Sequence, residues 1–199
     1  PRVVGPTQPP RMLFPPALLL EAYAQGYFPM AHLDGQHYWY DPNPRAVMPL
    51  DERFHVPRRL ARTLRQQRFE ISLNLDFAGV LAGCAAPSEI GGRDRDETWI
   101  SEEIAAGFLA LHEHGFAHSL EVWRAGRLIG GIYGLAIGGF FAGESMFSRE
   151  RDASKIALVK LVTHLRRQGF TLFDVQFLTP HLAQFGAYEL SRDQYKRRL

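Results

Sequence analysis

Apolar positions recur at three- and four-residue spacing in several stretches, and each such stretch predicts a helix. Leu18, Leu19, Ala22 and Tyr23 place the first over residues 17–25, with Gly26 as its stop. A second, over residues 57–67, is basic and anchored by Leu60 and Leu64, and a third spans residues 77–84. Ser101 reads as an N-cap ahead of Glu102 and Glu103, whose charge suits the positive end of a helix that runs to about His114 and stops at Gly115. The strongest amphipathic pattern is Ile156, Leu158, Val159, Leu161, Val162 and Leu165, which follows a cap at Asp152 and ends at Gly169. A short helix over residues 180–185 and a terminal one capped by Ser191 complete the set.

Strand patterns fill the intervals. Residues 118–123, 127–137 and 140–147 are separated by Ala125-Gly126 and Gly138-Gly139, so they predict an antiparallel meander. Residues 69–73 and 171–176 read as two further strands. An aromatic stretch broken by proline, from Tyr27 to Arg45, reads as short strands and turns. The expected organisation is a small amino-terminal α+β lobe, residues 1–50, with an extended proline-rich start, followed by a larger domain, residues 51–199. Grouped strands between helices indicate α+β rather than regularly alternating α/β.

Composition narrows the picture only a little. The chain has 199 residues and 46% hydrophobic content, enough for a real core, and its formal net charge of +2 is too weak to announce a nucleic-acid protein by itself. The single cysteine, Cys84, cannot close an internal disulfide, so a reducing, cytoplasmic setting is expected. No stretch approaches the roughly 18 apolar residues of a membrane span, and the start carries no signal-peptide pattern.

Charge does concentrate at one place. Arg58, Arg59, Arg62, Arg65 and Arg68 crowd the second helix, with 58, 62 and 65 on one face. That row suits either plain solvent or the phosphates of an RNA acceptor stem. In Asp174-Val175-Gln176, strand alternation puts the Asp and Gln side chains on one face, where a carboxylate can orient the amide. Glu144, at the end of a strand rich in phenylalanine, can hold a substrate cation or pair with Arg149 or Lys155. His112, His114 and His118 point apart and form no metal site, and Gly130-Gly131-Ile132-Tyr133-Gly134 opens no helix, so close strand packing explains it better than a nucleotide.

Tyr27-Phe28-Pro29, Asp41-Pro42-Asn43-Pro44-Arg45, Glu97-Thr98-Trp99-Ile100, Leu111-His112-Glu113-His114-Gly115, His118-Ser119-Leu120-Glu121-Val122-Trp123, the glycine-rich segment above, Gly143-Glu144-Ser145-Met146-Phe147-Ser148-Arg149, Ala153-Ser154-Lys155 and Asp174-Val175-Gln176 occur in this order. Together they resemble the bacterial leucyl/phenylalanyl-tRNA protein transferases. The resemblance implies a catalytic domain with the fold of acyl-CoA N-acetyltransferases (GNAT-like), a mainly antiparallel mixed sheet flanked by helices. It implies transfer of Leu or Phe, and less readily Met, from aminoacyl-tRNA to proteins beginning with Arg or Lys, marking them for N-end rule degradation. It implies catalytic roles for Asp174 and Gln176, an active-site place for Glu144, and a hold on the tRNA end by Tyr23 and Trp99. The aminoacyl pocket would draw on Ile132, Phe141, Leu158, Leu161, Leu165 and Phe173, with Met30 where other members carry Trp; separately, the charge row Arg58, Arg62 and Arg65 is expected to meet tRNA. Two departures stand out: no Gly-Gly-Asp-Leu segment precedes the first helix, and Leu161 and Leu165 stand where aromatics are familiar.

The ester is already activated, so no metal, ATP, other cofactor or acyl-enzyme is required, and a monomer suffices. Proximity supplies most of the rate, with Asp174 orienting Gln176 and Gln176 positioning the attacking amine, since a neutral amide is a very weak base. Two other readings fit in part: an acyl-CoA N-acetyltransferase, opposed by the lack of glycine from Ser148 to Lys155, and a silent module that binds tRNA or peptide ends.

Overall fold

The computed structural model describes residues 13–86 and 98–199. The first helix, α1 (Pro16–Ala24), starts on a proline pair that cannot donate and needs no partner there. A two-stranded antiparallel ribbon, β1 (Phe28–Ala31) and β2 (His37–Tyr40), follows. Then come β3 (Arg45–Met48), α2 (Arg58–Arg65), β4 (Glu70–Leu73) and α3 (Phe77–Ala85). Beyond lie α4 (Glu102–Glu113), β5 (Ala117–Arg124), β6 (Arg127–Ile137), β7 (Phe140–Ser148), α5 (Ala153–Arg167), β8 (Leu172–Gln176), α6 (Pro180–Ala183), β9 (Tyr188–Leu190) and α7 (Arg192–Lys196).

Seven strands form one sheet in the order β4-β5-β6-β7-β8-β3-β9, antiparallel at every junction except the parallel pair β7 and β8. The mixed α+β class and the meander β5–β7 agree with the sequence pattern. Two features differ from it. β9 lies in a segment where no strand was expected, and β3 is no part of a separate ribbon: it sits inside the large sheet, between β8 and β9. Residues 87–97 and most of the proline-rich start, residues 1–12, lie outside the described residues.

Alternation splits the sheet residues between two cores. One face, with Tyr133, Leu135 and Phe147, packs under α1, α3 and α4, whose Leu19, Tyr23, Val80, Ile104 and Phe108 are buried. The other, with Leu120, Ile132, Phe141 and Phe173, packs under α5, whose Ile156, Leu158, Leu161, Val162 and Leu165 face inward as their spacing required. Ser101 caps α4 through its hydroxyl, and Ser191 closes a full capping box with Gln194 on α7. Asp152 does not cap α5 as its type suggests: it is left-handed (φ 65) and its carboxylate instead pairs with Lys155 at 3.2 Å. The glycine-rich run in β6 is a packing device. A Cβ at Gly131 would sit 2.8 Å from Val80 of α3, and one at Gly134 only 2.2 Å from the Ala142 carbonyl on the next strand.

Candidate active site

β7 and β8 run parallel and pair through Ala142 opposite Asp174; past that point they part. Glu144 on β7 and Gln176 at the end of β8 face each other across the fork, and the Gln176 amide Nε2 donates to Glu144 Oε1 at 3.4 Å. A cleft of about 730 Å³ opens there. Phe28, Met30 and Trp99 line its aromatic side; Met146, Val175 and Phe177 add apolar wall; Arg59, Arg149, Arg151 and Lys155 lie at its basic rim.

Asp174 does not hold the Gln176 amide as strand alternation predicted. The register between β3 and β8 slips, with Ala46 opposite Gln176 and Val47 opposite Asp174, so Val175 has no partner and the alternation breaks. Gln176 then adopts a left-handed backbone (φ 60). Asp174 is fully buried, and its Oδ1 accepts the backbone N–H of Gln176 at 2.9 Å rather than the side chain. Every other partner of this carboxylate comes from afar. Arg45 on β3 donates Nε to Oδ1 at 2.9 Å and Nη2 to Oδ2 at 2.6 Å, and the Tyr195 hydroxyl of α7 donates to Oδ2 at 3.0 Å. Arg45 is itself buried, gives Nη1 to the Gly26 carbonyl at 2.8 Å, and lies 4.8 Å and 4.5 Å from the ring centres of Phe28 and Tyr195. Burial, and then Asp174 beside it, push the Tyr195 phenol up, so it stays a donor.

Glu144 pairs with neither Arg149 nor Lys155; Arg149 turns to the Leu128 carbonyl and the Phe147 ring, and Lys155 to Asp152. Burial pushes its carboxyl up to about 8, helped by Asp174, while Tyr23 and Arg45 pull the other way. The hydroxyls of Tyr23 and Tyr133 lie buried without a well-aligned partner, and both phenols are pushed up by burial and then by Glu144.

Of the residues expected at the site, Glu144, Gln176, Met30 and Trp99 reach the cleft. Tyr23 does not offer a face for stacking, because it is buried between α1 and α4 with its ring edge-on to Phe108. Ile132, Phe141, Leu158, Leu161, Leu165 and Phe173 are brought together, but as closed core between the sheet and α5 rather than as cleft wall. Arg58, Arg62 and Arg65 are exposed, and among the described residues none of them forms an ion pair. Their neighbour Arg59, left out of the expected set, turns into the cleft. Arg45, Tyr133 and Tyr195 were also missed. For Arg45 the signals were its place in the Asp41-Pro42-Asn43-Pro44-Arg45 run and its position heading the apolar strand Ala46-Val47-Met48. Among the described residues no three His, Cys, Asp or Glu side chains are placed to share a metal ion, and no helix is long and apolar enough to cross a membrane.

Where the mixed sheet forks, a carboxyl and a side-chain amide thus meet in a cleft with an aromatic side and several arginine and lysine side chains. Comparison with known proteins gives the family. Residues 47–199 match the leucyl/phenylalanyl-tRNA protein transferase family model, and residues 12–43 match the model of that family's N-terminal domain. A leucyl/phenylalanyl-tRNA–protein transferase of Herpetosiphon aurantiacus is 54% identical over 92% of this chain and 92% of its own length. One from Dinoroseobacter shibae is 55% identical over 98% of this chain and 83% of its own. Among solved structures, a GCN5-related N-acetyltransferase-like protein from Streptococcus suis aligns at TM-score 0.39 and 16% identity, over 87% of this chain and 65% of that one. The chain belongs to the leucyl/phenylalanyl-tRNA protein transferases, aminoacyltransferases that move Leu or Phe from aminoacyl-tRNA to the amino-terminal Arg or Lys of proteins.

Proposed function

We propose that the fork between β7 and β8 is where this transfer occurs, with Gln176 aligning the acceptor amine against the ester and Asp174 fixing Gln176 through its backbone. The observation that carries this reading is the meeting of the Gln176 amide and Glu144 at 3.4 Å on the floor of the cleft. Met30, Trp99 and Phe28 hold the terminal adenosine and the aminoacyl group, and Glu144 meets the reacting end of the acceptor. Leu or Phe, and less readily Met, is carried; the closed cluster of Ile132, Phe141, Leu158, Leu161, Leu165 and Phe173 shapes the aminoacyl pocket from the α5 side of the sheet, and Tyr23 lies in the core on the opposite face. The exposed row Arg58, Arg62 and Arg65 meets the acceptor stem, since free guanidinium groups suit phosphate. The fold is GNAT-like, with residues 1–50 forming an amino-terminal lobe that lends β3 to the sheet of residues 51–199. The protein acts as a cytoplasmic monomer without cofactor and marks its targets for N-end rule degradation.

Radiolabelled Leu-tRNA, incubated with the protein and an Arg-initiated peptide, should yield labelled peptide without added metal or nucleotide. Gln176→Ala should slow single-turnover transfer by about 10²-fold, the scale of a lost positioning contact. Full-rate transfer by that variant would refute the assignment.

A further inference from the structure

The cluster beneath Glu144 is not used by the alignment described above. Tyr23 from α1 and Tyr133 from β6 bring buried hydroxyls, neither with a well-aligned partner, close to its carboxyl. From β8 it meets the Gln176 amide and, further off, Asp174; from β3 the Arg45 charge reaches it, but that guanidinium is spent on Asp174 and Gly26. Among the described residues Glu144 forms no ion pair. A carboxyl lining a cleft, with no ion-pair partner and with hydroxyls and an amide against it, is built to carry a proton.

Resting on the aminoacyl-transfer reading, we propose that Glu144 is the catalytic acid of that transfer, giving its proton to the ribose 3′ oxygen as the ester breaks and regaining one from the attacking nitrogen. The neutral amine adds to the ester carbonyl carbon, forming the C–N bond. The C–O bond to the ribose then breaks, and its electron pair stays with the 3′ oxygen. That alkoxide is a poor leaving group unless protonated. The proton comes from the Glu144 carboxyl, and the cationic nitrogen of the addition product returns one to the carboxylate. Amine and ester become amide and alcohol, with no external acid or base consumed. Burial is what fits Glu144 to this role, because its carboxyl, pushed up to about 8, still holds a proton at neutral pH.

The acceptor amine alone gives a rate that rises with pH and levels off; an essential acid adds a fall on the alkaline side. Single-turnover transfer of labelled Leu from tRNA to an Arg-initiated peptide, measured from about pH 6 to about pH 10 and corrected for ester hydrolysis, separates the two. Wild type should rise and then fall above about 8. Glu144→Gln should be slower by about 10²-fold at neutral pH and lack the alkaline fall. Tyr23→Phe, which removes a group that holds the carboxyl down, should move the fall to higher pH. A Glu144→Gln variant that keeps the alkaline fall, or that raises KM for the peptide with kcat unchanged, would overturn the proposal, as would an unshifted fall in Tyr23→Phe. If wild type transfers no Leu at any pH, the aminoacyl-transfer reading itself fails, which is a different result.

Discussion

At the scale of single residues, one guanidinium decides much of the site. Arg45 fills two acceptor positions of a buried carboxylate, so removing it strands Asp174 as an unpaired charge. Arg45→Met should therefore lower unfolding free energy by about 3–5 kcal/mol in a urea titration, and adding Asp174→Leu should recover much of that loss while transfer stays slow. Glu144 acts in the opposite sense on stability. Its folded carboxyl is raised from near 4.5 to about 8, so the stability it contributes is whole below about 4.5 and is lost as pH rises through about 8. Thermal unfolding should show Glu144→Gln level with wild type near pH 4 and more stable near pH 9, at about equal ionic strength; an equal Tm at both would argue against the raised value. That Asp174 and Gln176 need partners was legible from two polar residues in an apolar strand. Their true partners were not, because period-two alternation fails at the slip beside Val175 and the ligand of Asp174 lies 129 residues away.

At the scale of elements, the long periodic segments and most short ones were readable, and two short strands were not. β6 was delimited to the residue because glycine turns bracket it, and α5 closely, because its apolar spacing runs between Asp152 and Gly169. β3 and β9 have four and three residues, too few for a period to show, and both owe their strand conformation to their sheet partners. The close approach of β6 to β7 makes a sharp test. Gly134→Ala would push a methyl against backbone, which cannot yield, and should cost about 1–3 kcal/mol, read as a lower urea midpoint. Helix α2 sets Arg59 at the cleft and leaves Arg58, Arg62 and Arg65 exposed. Arg62→Ala with Arg65→Ala should weaken tRNA binding for any sequence and flatten its salt dependence by about one to two units of slope. Arg59→Ala, at the cleft rim, should in addition slow transfer from saturating aminoacyl-tRNA.

At the scale of the whole molecule, the order of strands in space departs from the order of synthesis. β3 leaves the ribosome early, yet its neighbours β8 and β9 come from the far end of the chain. Ala46, Val47 and Met48 are almost wholly buried in the finished sheet and have nothing to pair with until Asp174 has emerged, 129 residues after Arg45. At ordinary elongation speeds that interval is on the order of ten seconds. For that time an apolar strand with both edges open hangs from the nascent chain, the kind of segment that chaperones capture and that aggregates when they do not. Synthesis and assembly of the cleft are thereby tied in time: the residue that anchors Asp174 waits for a partner made 129 residues later, so the floor of the cleft cannot form before the carboxyl-terminal strands have arrived.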